Sequence, residues 1–204
     1  MKRFRSLALA ALAALTLGSG AWAQEAPQET VRKTTDAVIS RVKDEKDVLR
    51  ADPTRMYNLV SELVFPHFDF GVMSQFVLGP EWKTAEEAKR AEFVEQFRKL
   101  LVRTYAAALL EYSEQTIAYP ESGVTPKNPK TAVVKQDITQ PSGANMPVVY
   151  RLHSKADGWK VYDVSVDGVS LVKTYRSSFA DIIKQGGLDQ LIATLHTKNQ
   201  EIGQ

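Results

Sequence analysis

Pro147-Val-Val-Tyr-Arg-Leu-His-Ser-Lys155, then Ala156, Asp157 and Gly158, then Trp159-Lys-Val-Tyr-Asp-Val-Ser-Val166: this run decides the fold. Two stretches of period-two character flank an Asp-Gly pair, which is the short-range signature of a β-hairpin. Two further stretches of the same character precede it, Gln115 to Tyr119 and Lys130 to Thr139. Pro126-Lys127-Asn128-Pro129 and Pro141-Ser142-Gly143 separate them as turns, and Asp167-Gly168 ends the last strand. The expectation is an antiparallel meander.

On either side of the meander the period is helical. Val31, Thr35, Val38 and Val42 mark a helix starting near Glu29, and the pattern fades over Lys43 to Asp47. Asp52-Pro53 restarts a helix, because Asp caps and Pro suits the first turn. Tyr57, Val60 and Val64 would face inward. Phe65-Pro-His-Phe-Asp-Phe-Gly71 is aromatic and broken, a short helix follows over Val72 to Val77, and Gly79-Pro80 stops it. Thr84-Ala-Glu-Glu87 has the form of a capping box for the longest helix. Phe93, Phe97, Leu101, Tyr105, Ala108 and Tyr112 keep one face of that helix apolar. Past Leu100 it is apolar nearly all round, which predicts cover on more than one side. After the meander, Ser170 caps a helix to about Lys184, Gly186-Gly187 stops it, and Leu188 to Lys198 forms a last one. Helices, meander, helices reads as an α+β fold. The helices pack on one face of a curved antiparallel sheet, giving a cone whose interior is packed shut or left open as an apolar cavity.

The first 23 residues have a separate role. Lys2, Arg3 and Arg5 precede an apolar run from Leu7 to Leu17, and Ala21-Trp22-Ala23 has small residues where a signal peptidase reads. The run is shorter than the roughly 20 residues a membrane-spanning helix needs. Residues 1–23 are therefore expected to leave as a signal peptide, and residues 24–204 to form a single domain in the periplasm. Loss of those three cations takes the formal charge from +2 to −1. Nothing in that balance suggests nucleic-acid binding. The chain has no cysteine, so disulfides and thiol chemistry are excluded. It holds no GxxxxGK[ST], GxGxxG, GxSxG or HExxH motif. His67, His153 and His196 share no ligand spacing, and no metal, cofactor or catalytic set is expected.

Asp163 is the one carboxylate of chemical interest. Strict alternation places Trp159, Val161, Asp163 and Ser165 on one face, and Tyr162, Val164 and Val166 on the other. If the first face looks inward, Asp163 is a general base in a cone-shaped pocket, and the chain is a small hydrolase or isomerase. Otherwise Asp163 pairs with an arginine, Arg151 or Arg176, and is structural. Arg98, Lys99 and Arg103 lie on the outer side of the long helix, as a solvated face or as a dock for a partner or for anionic headgroups. A third reading is a binding module with a filled core.

Two blocks resemble a known family. The first is Phe68-Asp69-Phe70 with Met73, Leu78-Gly79, Trp82, Phe93, Phe97, Leu100-Leu101 and Tyr105. The second runs unbroken from Trp159 to Val172, followed by Tyr175-Arg176 and Phe179. Together they are similar to the MlaC family of periplasmic phospholipid-binding, toluene-tolerance proteins, auxiliary to an ABC transporter. The likeness covers roughly residues 29 to 198. Ser178 departs from it, where a Gln is expected. The resemblance implies a carrier and not an enzyme, with glycerophospholipid as cargo and no cofactor. Its implied partners are an outer-membrane lipoprotein–porin complex and an inner-membrane ABC transporter complex with an MCE-domain protein. Its implied task is to maintain outer-membrane lipid asymmetry, and a monomer suits a shuttle.

Carriage has a physical requirement. Two acyl chains of about 16 carbons carry about 30 methylenes, and exposing them to water costs on the order of 20–25 kcal/mol. A carrier must hide both in a deep apolar cavity, at the upper end of ordinary pockets of roughly 1,000 Å³. Periodicity nominates Val72, Phe76, Phe97, Leu101, Tyr105, Leu109, Val149, Val164, Val166, Leu171, Tyr175 and Phe179 as its wall. Asp163 and Arg176 form its polar rim, with Arg176 at the lipid phosphate or paired to Asp163. N-terminal sequencing of the exported protein should begin at Gln24. Retention of Met1 would overturn the assignment of residues 1–23.

Overall fold

The computed structural model describes residues 25–111, 115–120, 122–125 and 127–201. The expected signal peptide, Tyr112 at the end of the apolar stripe and Pro126 in a turn lie outside them.

Helices come first. They are α1 Pro27–Asp44, α2 Lys46–Ala51, α3 Pro53–Leu63, a 3₁₀ turn Phe65–His67, α4 Phe70–Leu78, α5 Pro80–Thr84 and α6 Glu87–Leu110. Asp52 caps α3 as its sequence implies, accepting from the Thr54 and Arg55 amides at 2.9 and 3.4 Å. The Thr84 capping box does not form. Pro80 opens an additional turn, α5, of which Thr84 is the last residue, and its hydroxyl donates to the Glu81 carbonyl at 3.2 Å. Glu86, the cap of α6, makes no side-chain bond. Gly79 joins α4 to α5 with a φ of 59°, and a Cβ there would meet the Arg176 guanidinium at 2.9 Å. The backbone conformation requires glycine at this junction, and the Arg176 guanidinium would have to move aside for a side chain.

The strands are β1 Thr116–Ala118, β2 Gly123–Thr125, β3 Asn128–Thr139, β4 Asn145–Lys155, β5 Gly158–Val166 and β6 Val169–Ser170. They form one antiparallel sheet in which β3, β4, β5 and β6 are neighbours in order, and β1 and β2 share the far edge of β3. The short strands β2 and β6 carry too little alternation to be read from sequence. Asp167 and Gly168, both at positive φ (49° and 78°), make the two-residue turn from β5 to β6. The chain ends in α7 Leu171–Glu201, bent at Gly187 where φ is 68°. That bend is the break that Gly186-Gly187 predicts.

Apolar burial falls into three clusters. One gathers α4, α6 and α7 around Met73, Phe93, Phe97 and Leu191. A second lies on the sheet, around Val134, Leu152 and Val161, with Val31 of α1. The third joins α1, α2, α3 and α6 around Val42, Leu49 and Met56. Ordinary domains of this size have one contiguous core. Here α6 serves two clusters, through Phe93, Phe97, Leu100 and Leu101 in one and Val102 in the other. Its buried residues end at Val102, and Tyr105, Ala107 and Ala108 beyond it are exposed, so the all-round cover expected of its C-terminal half does not form.

Asp69 binds three of these elements together. Its Oδ1 accepts from the Val72 amide at 3.0 Å and caps α4. Its Oδ2 meets His153 Nε2 at 2.9 Å and the Lys155 ammonium, both on β4. Its amide donates to the Val161 carbonyl of β5 at 2.8 Å. Burial alone would raise the Asp69 pKa. The Lys155 ammonium, the Val72 amide and His153 outweigh it and hold the carboxyl below its ordinary 3.8. A carboxyl lowered on folding stabilises the protein above its unfolded pKa and loses that contribution as pH falls through the folded one. Asp69→Asn keeps the cap and loses the charge. It should cost about 1.5–3 kcal/mol at pH 7 by denaturant unfolding. The gap to the parent protein should narrow as pH drops below 3.8; a gap independent of pH would refute the assignment.

Candidate functional site: an apolar cavity between helices and sheet

Between the three clusters lies a cavity of about 380 Å³. One wall is α1, through Val31, Thr35, Val38, Ile39 and Val42. A second is α6, through Leu101, Val102, Tyr105, Ala108 and Leu109. The sheet is the third, with Ile117 of β1, Gln136 and Ile138 of β3, Met146, Val148 and Tyr150 of β4, and Val161, Val164 and Val166 of β5. The aromatic turn and the start of α4 supply Phe65, His67, Phe68, Phe70 and Met73. The volume falls short of the roughly 1,000 Å³ expected for two lipid tails. Part of the cone is filled from within, because Phe65 and Phe68 each pack against two of the clusters that surround the space.

Of the residues nominated from sequence, Leu101, Tyr105, Leu109, Val164, Val166 and Leu171 come together on this cavity. Val72, Phe76, Phe97, Val149, Tyr175 and Phe179 do not line it. Phe97 and Phe179 are sealed in the cluster between α6 and α7. There Phe97 stacks on Phe93 at 5.7 Å and meets the edge of Tyr175 at 5.2 Å. The reason is helical geometry. A step of four residues advances about 40° around the axis, so the stripe Phe97, Leu101, Tyr105, Leu109 turns about 120° over its length. It starts on α7 and ends on the cavity. Tyr175 packs behind the wall and reaches Tyr105, whose hydroxyl pKa is pushed up to about 12 by burial and by Tyr175. On α4 the cavity side carries Phe70 and Met73, whereas Phe76 is 46% exposed and packs on Tyr162 at 5.9 Å. On β4 the cavity face is Met146, Val148 and Tyr150, one step out of phase with Val149.

A bulge corrects the reading of β5. Arg151 pairs with Asp163 but Leu152 with Val161, leaving Tyr162 extra. Strict alternation fails there. Val161, Val164 and Val166 face the cavity, and Asp163 is not among its lining residues. Asp163 is buried instead under the start of α7. It accepts from Ser170 Oγ at 2.9 and 2.8 Å and from the Val172 amide at 3.3 Å, and Arg151 Nη1 lies 3.3 Å away. Ser170 in turn accepts from the Lys173 amide at 3.2 Å, so the cap expected at Ser170 forms and Asp163 holds it. Arg151, not Arg176, is the partner of Asp163. Arg176 folds over Gly79 and reaches the Phe76 carbonyl at 3.5 Å. Two of the outer cations of α6, Arg98 and Lys99, are engaged locally. Arg98 lies over the rings of Phe65 and Phe70 at 4.8 and 5.0 Å, and both Arg98 and Lys99 pair with Glu95.

The wall formed by α1 was not nominated from sequence. Its Val31, Val38 and Val42 repeat was legible, but a periodic stripe does not say whether it meets side chains or empty space. His67 is also on the wall; burial and the nearby Lys160 lower its pKa. His153 and His196 face Asp69 and Glu92. Among the described residues no group of three or more acidic or histidine side chains is placed to hold a metal. None of the helices described is long and apolar enough to cross a membrane.

A single sheet covered by helices around a half-open, largely apolar space defines a binding protein for an apolar ligand. Residues 32–197 match the family model described as MlaC protein, and the chain belongs to that family. It is 29% identical to the toluene tolerance protein ttg2D of Pseudomonas putida over 93% of this chain and 85% of that one. It is 25% identical to the intermembrane phospholipid transport system binding protein MlaC of Haemophilus influenzae, over 96% and 92% of the two. Its fold matches that of a phospholipid-binding protein from Ralstonia solanacearum solved in complex with a phospholipid. That match has a TM-score of 0.81 and 30% identity, and spans 88% of this chain and 100% of the other.

Leu101 belongs to the α4–α6–α7 cluster and also lines the cavity, which gives the added volume of Leu101→Trp an open space to enter. The variant should unfold cooperatively near the parent temperature and take up an apolar fluorescent probe at least several-fold more weakly. Outright unfolding would show that Leu101 is core and not wall.

Proposed function

We propose that this chain is a phospholipid carrier of the bacterial periplasm that hides acyl tails in the cavity between α1, α6 and the sheet. The observation that carries this reading is the cavity itself, lined almost entirely by aliphatic and aromatic side chains. The likeness to a fold solved with phospholipid supports the choice of cargo. Each methylene hidden there avoids a cost of about 0.8 kcal/mol. The same cost makes unaided release slow, so a partner must take the lipid directly. An inner-membrane ABC transporter complex with an MCE-domain protein and an outer-membrane lipoprotein–porin complex fit that role. The family membership and the name of the Haemophilus relative support them. Removal of residues 1–23 delivers the protein to the compartment between those membranes.

Carriage breaks no covalent bond, and the chain acts without catalysis or cofactor. The hydrolase or isomerase reading rested on Asp163 facing the pocket, and that carboxylate is spent on Ser170, Val172 and Arg151. Leu101, Tyr105, Leu109, Val164, Val166 and Leu171 are the nominated residues that touch the tails. Mass spectrometry of an organic extract of mature protein, purified without detergent from a periplasmic fraction, should find near-stoichiometric phospholipid. A lipid-free protein that also takes up none from vesicles would overturn carriage.

A further inference from the structure

Gln136 is the most deeply buried of the polar side chains on the cavity, which also include Thr35, His67, Gln115 and Gln140. Gln136 of β3 is 1% exposed and lines the cavity. Its Oε1 accepts from the Tyr150 hydroxyl at 2.9 Å. Its Nε2 donates to Thr35 Oγ1 at 3.2 Å and to the Tyr119 hydroxyl at 3.0 Å. Tyr150 fixes the orientation of the amide. Its buried hydroxyl proton needs an acceptor, and turning the amide over would leave that proton with none. Burial raises the Tyr150 pKa further, with Tyr119 adding to it, so the group stays a neutral donor.

This leaves a surplus. Thr35 receives a hydrogen bond from Gln136 but has no acceptor for its own proton among the described residues. The neighbouring hydroxyls of α1 are spent: Thr30 donates to Ala26 and Thr34 to the Thr30 carbonyl. Gln115 and Gln140, also on the cavity, are bonded to each other at 3.0 Å. The Thr35 hydroxyl is thus a donor fixed at the wall of an apolar space, held in place by an amide that is itself fixed. A stable wall needs none of this, since aliphatic side chains of similar volume would pack there without the cost of burying an amide.

We propose that Thr35, positioned by Gln136 and Tyr150, is a subsite for a hydrogen-bond acceptor carried within an otherwise apolar ligand. On the phospholipid reading above, on which this rests, that acceptor is an ester carbonyl at the head of an acyl chain. The subsite sets how deep the tails run, and it favours acyl esters over alkyl ethers. A hydrogen bond between neutral groups corresponds to a preference of about three- to ten-fold.

The test is competition. Delipidated mature protein is incubated with vesicles holding equal amounts of dioleoyl-phosphatidylcholine and its di-O-oleyl ether analogue, and the bound lipids are counted by mass spectrometry. The parent protein should load the diester in about three- to ten-fold excess. Thr35→Val should bring the ratio close to one, and Thr35→Ser, which keeps the hydroxyl, should retain the preference. A merely structural Thr35 would lower loading of both lipids together and leave the ratio alone. Equal loading by the parent protein, or an unchanged ratio in Thr35→Val, overturns the subsite while carriage stands. Loading of neither lipid by the parent protein overturns carriage, and the subsite with it.

Discussion

The carboxylate of Asp69 holds the helical wall of the cavity against the sheet. Burial of apolar surface has no direction, so it closes spaces wherever it can. A cavity lined with Val, Leu and Phe persists only if the walls are fixed by contacts that do have direction. Asp69 supplies them between the aromatic turn and α4: a cap on α4, a pair with His153 and Lys155 on β4, and a backbone bond to β5. Asp163 does the same on the other side of β5, seating Ser170 and the start of α7. With these two points set, the three apolar clusters pack against their own elements and leave the space between them unfilled.

The two carboxylates also illustrate how residue type misleads about chemistry. Both are acids whose carboxylates are largely withdrawn from water, the setting in which a general base is sought. Both are consumed by donors: backbone amides, a serine hydroxyl, a lysine and an arginine. Gln136 differs. Its amide is satisfied, yet it leaves a neighbouring hydroxyl with a proton to give, and that hydroxyl is on the cavity. Surplus hydrogen-bonding capacity at a wall, rather than burial of a charge, marks where this fold meets a ligand.

Stability and capacity oppose each other in this architecture. Every cavity forgoes dispersion contacts that a filled core would make. The chain limits that loss at Phe65 and Phe68, which line the space and pack against the clusters around it. Compactness elsewhere compensates: Phe93, Phe97, Leu191 and Leu195 between α6 and α7 are wholly buried.

The succession of helices, meander and helices, the Asp52 and Ser170 caps and the break at Gly187 were legible in the sequence because each is a local matter of backbone preference and period; the short α2, α5, β2 and β6 were not. The two aromatic blocks were likewise enough to suggest the family. The cavity wall was legible only in part. The i, i+4 stripe on α6 turns about its axis from the α7 contact at Phe97 to the open space at Leu109. Where along it packing ends and cavity begins depends on α7, which lies far away in the chain. The bulge at Tyr162 exchanged the faces of β5, removing Asp163 from the interior and placing Val164 there. No local signal announces it, because it is set by pairing with Arg151 and Leu152 across the hairpin. Periodicity determined which residues are apolar together; only the packing of distant elements decided which of those faces meet one another and which enclose a space.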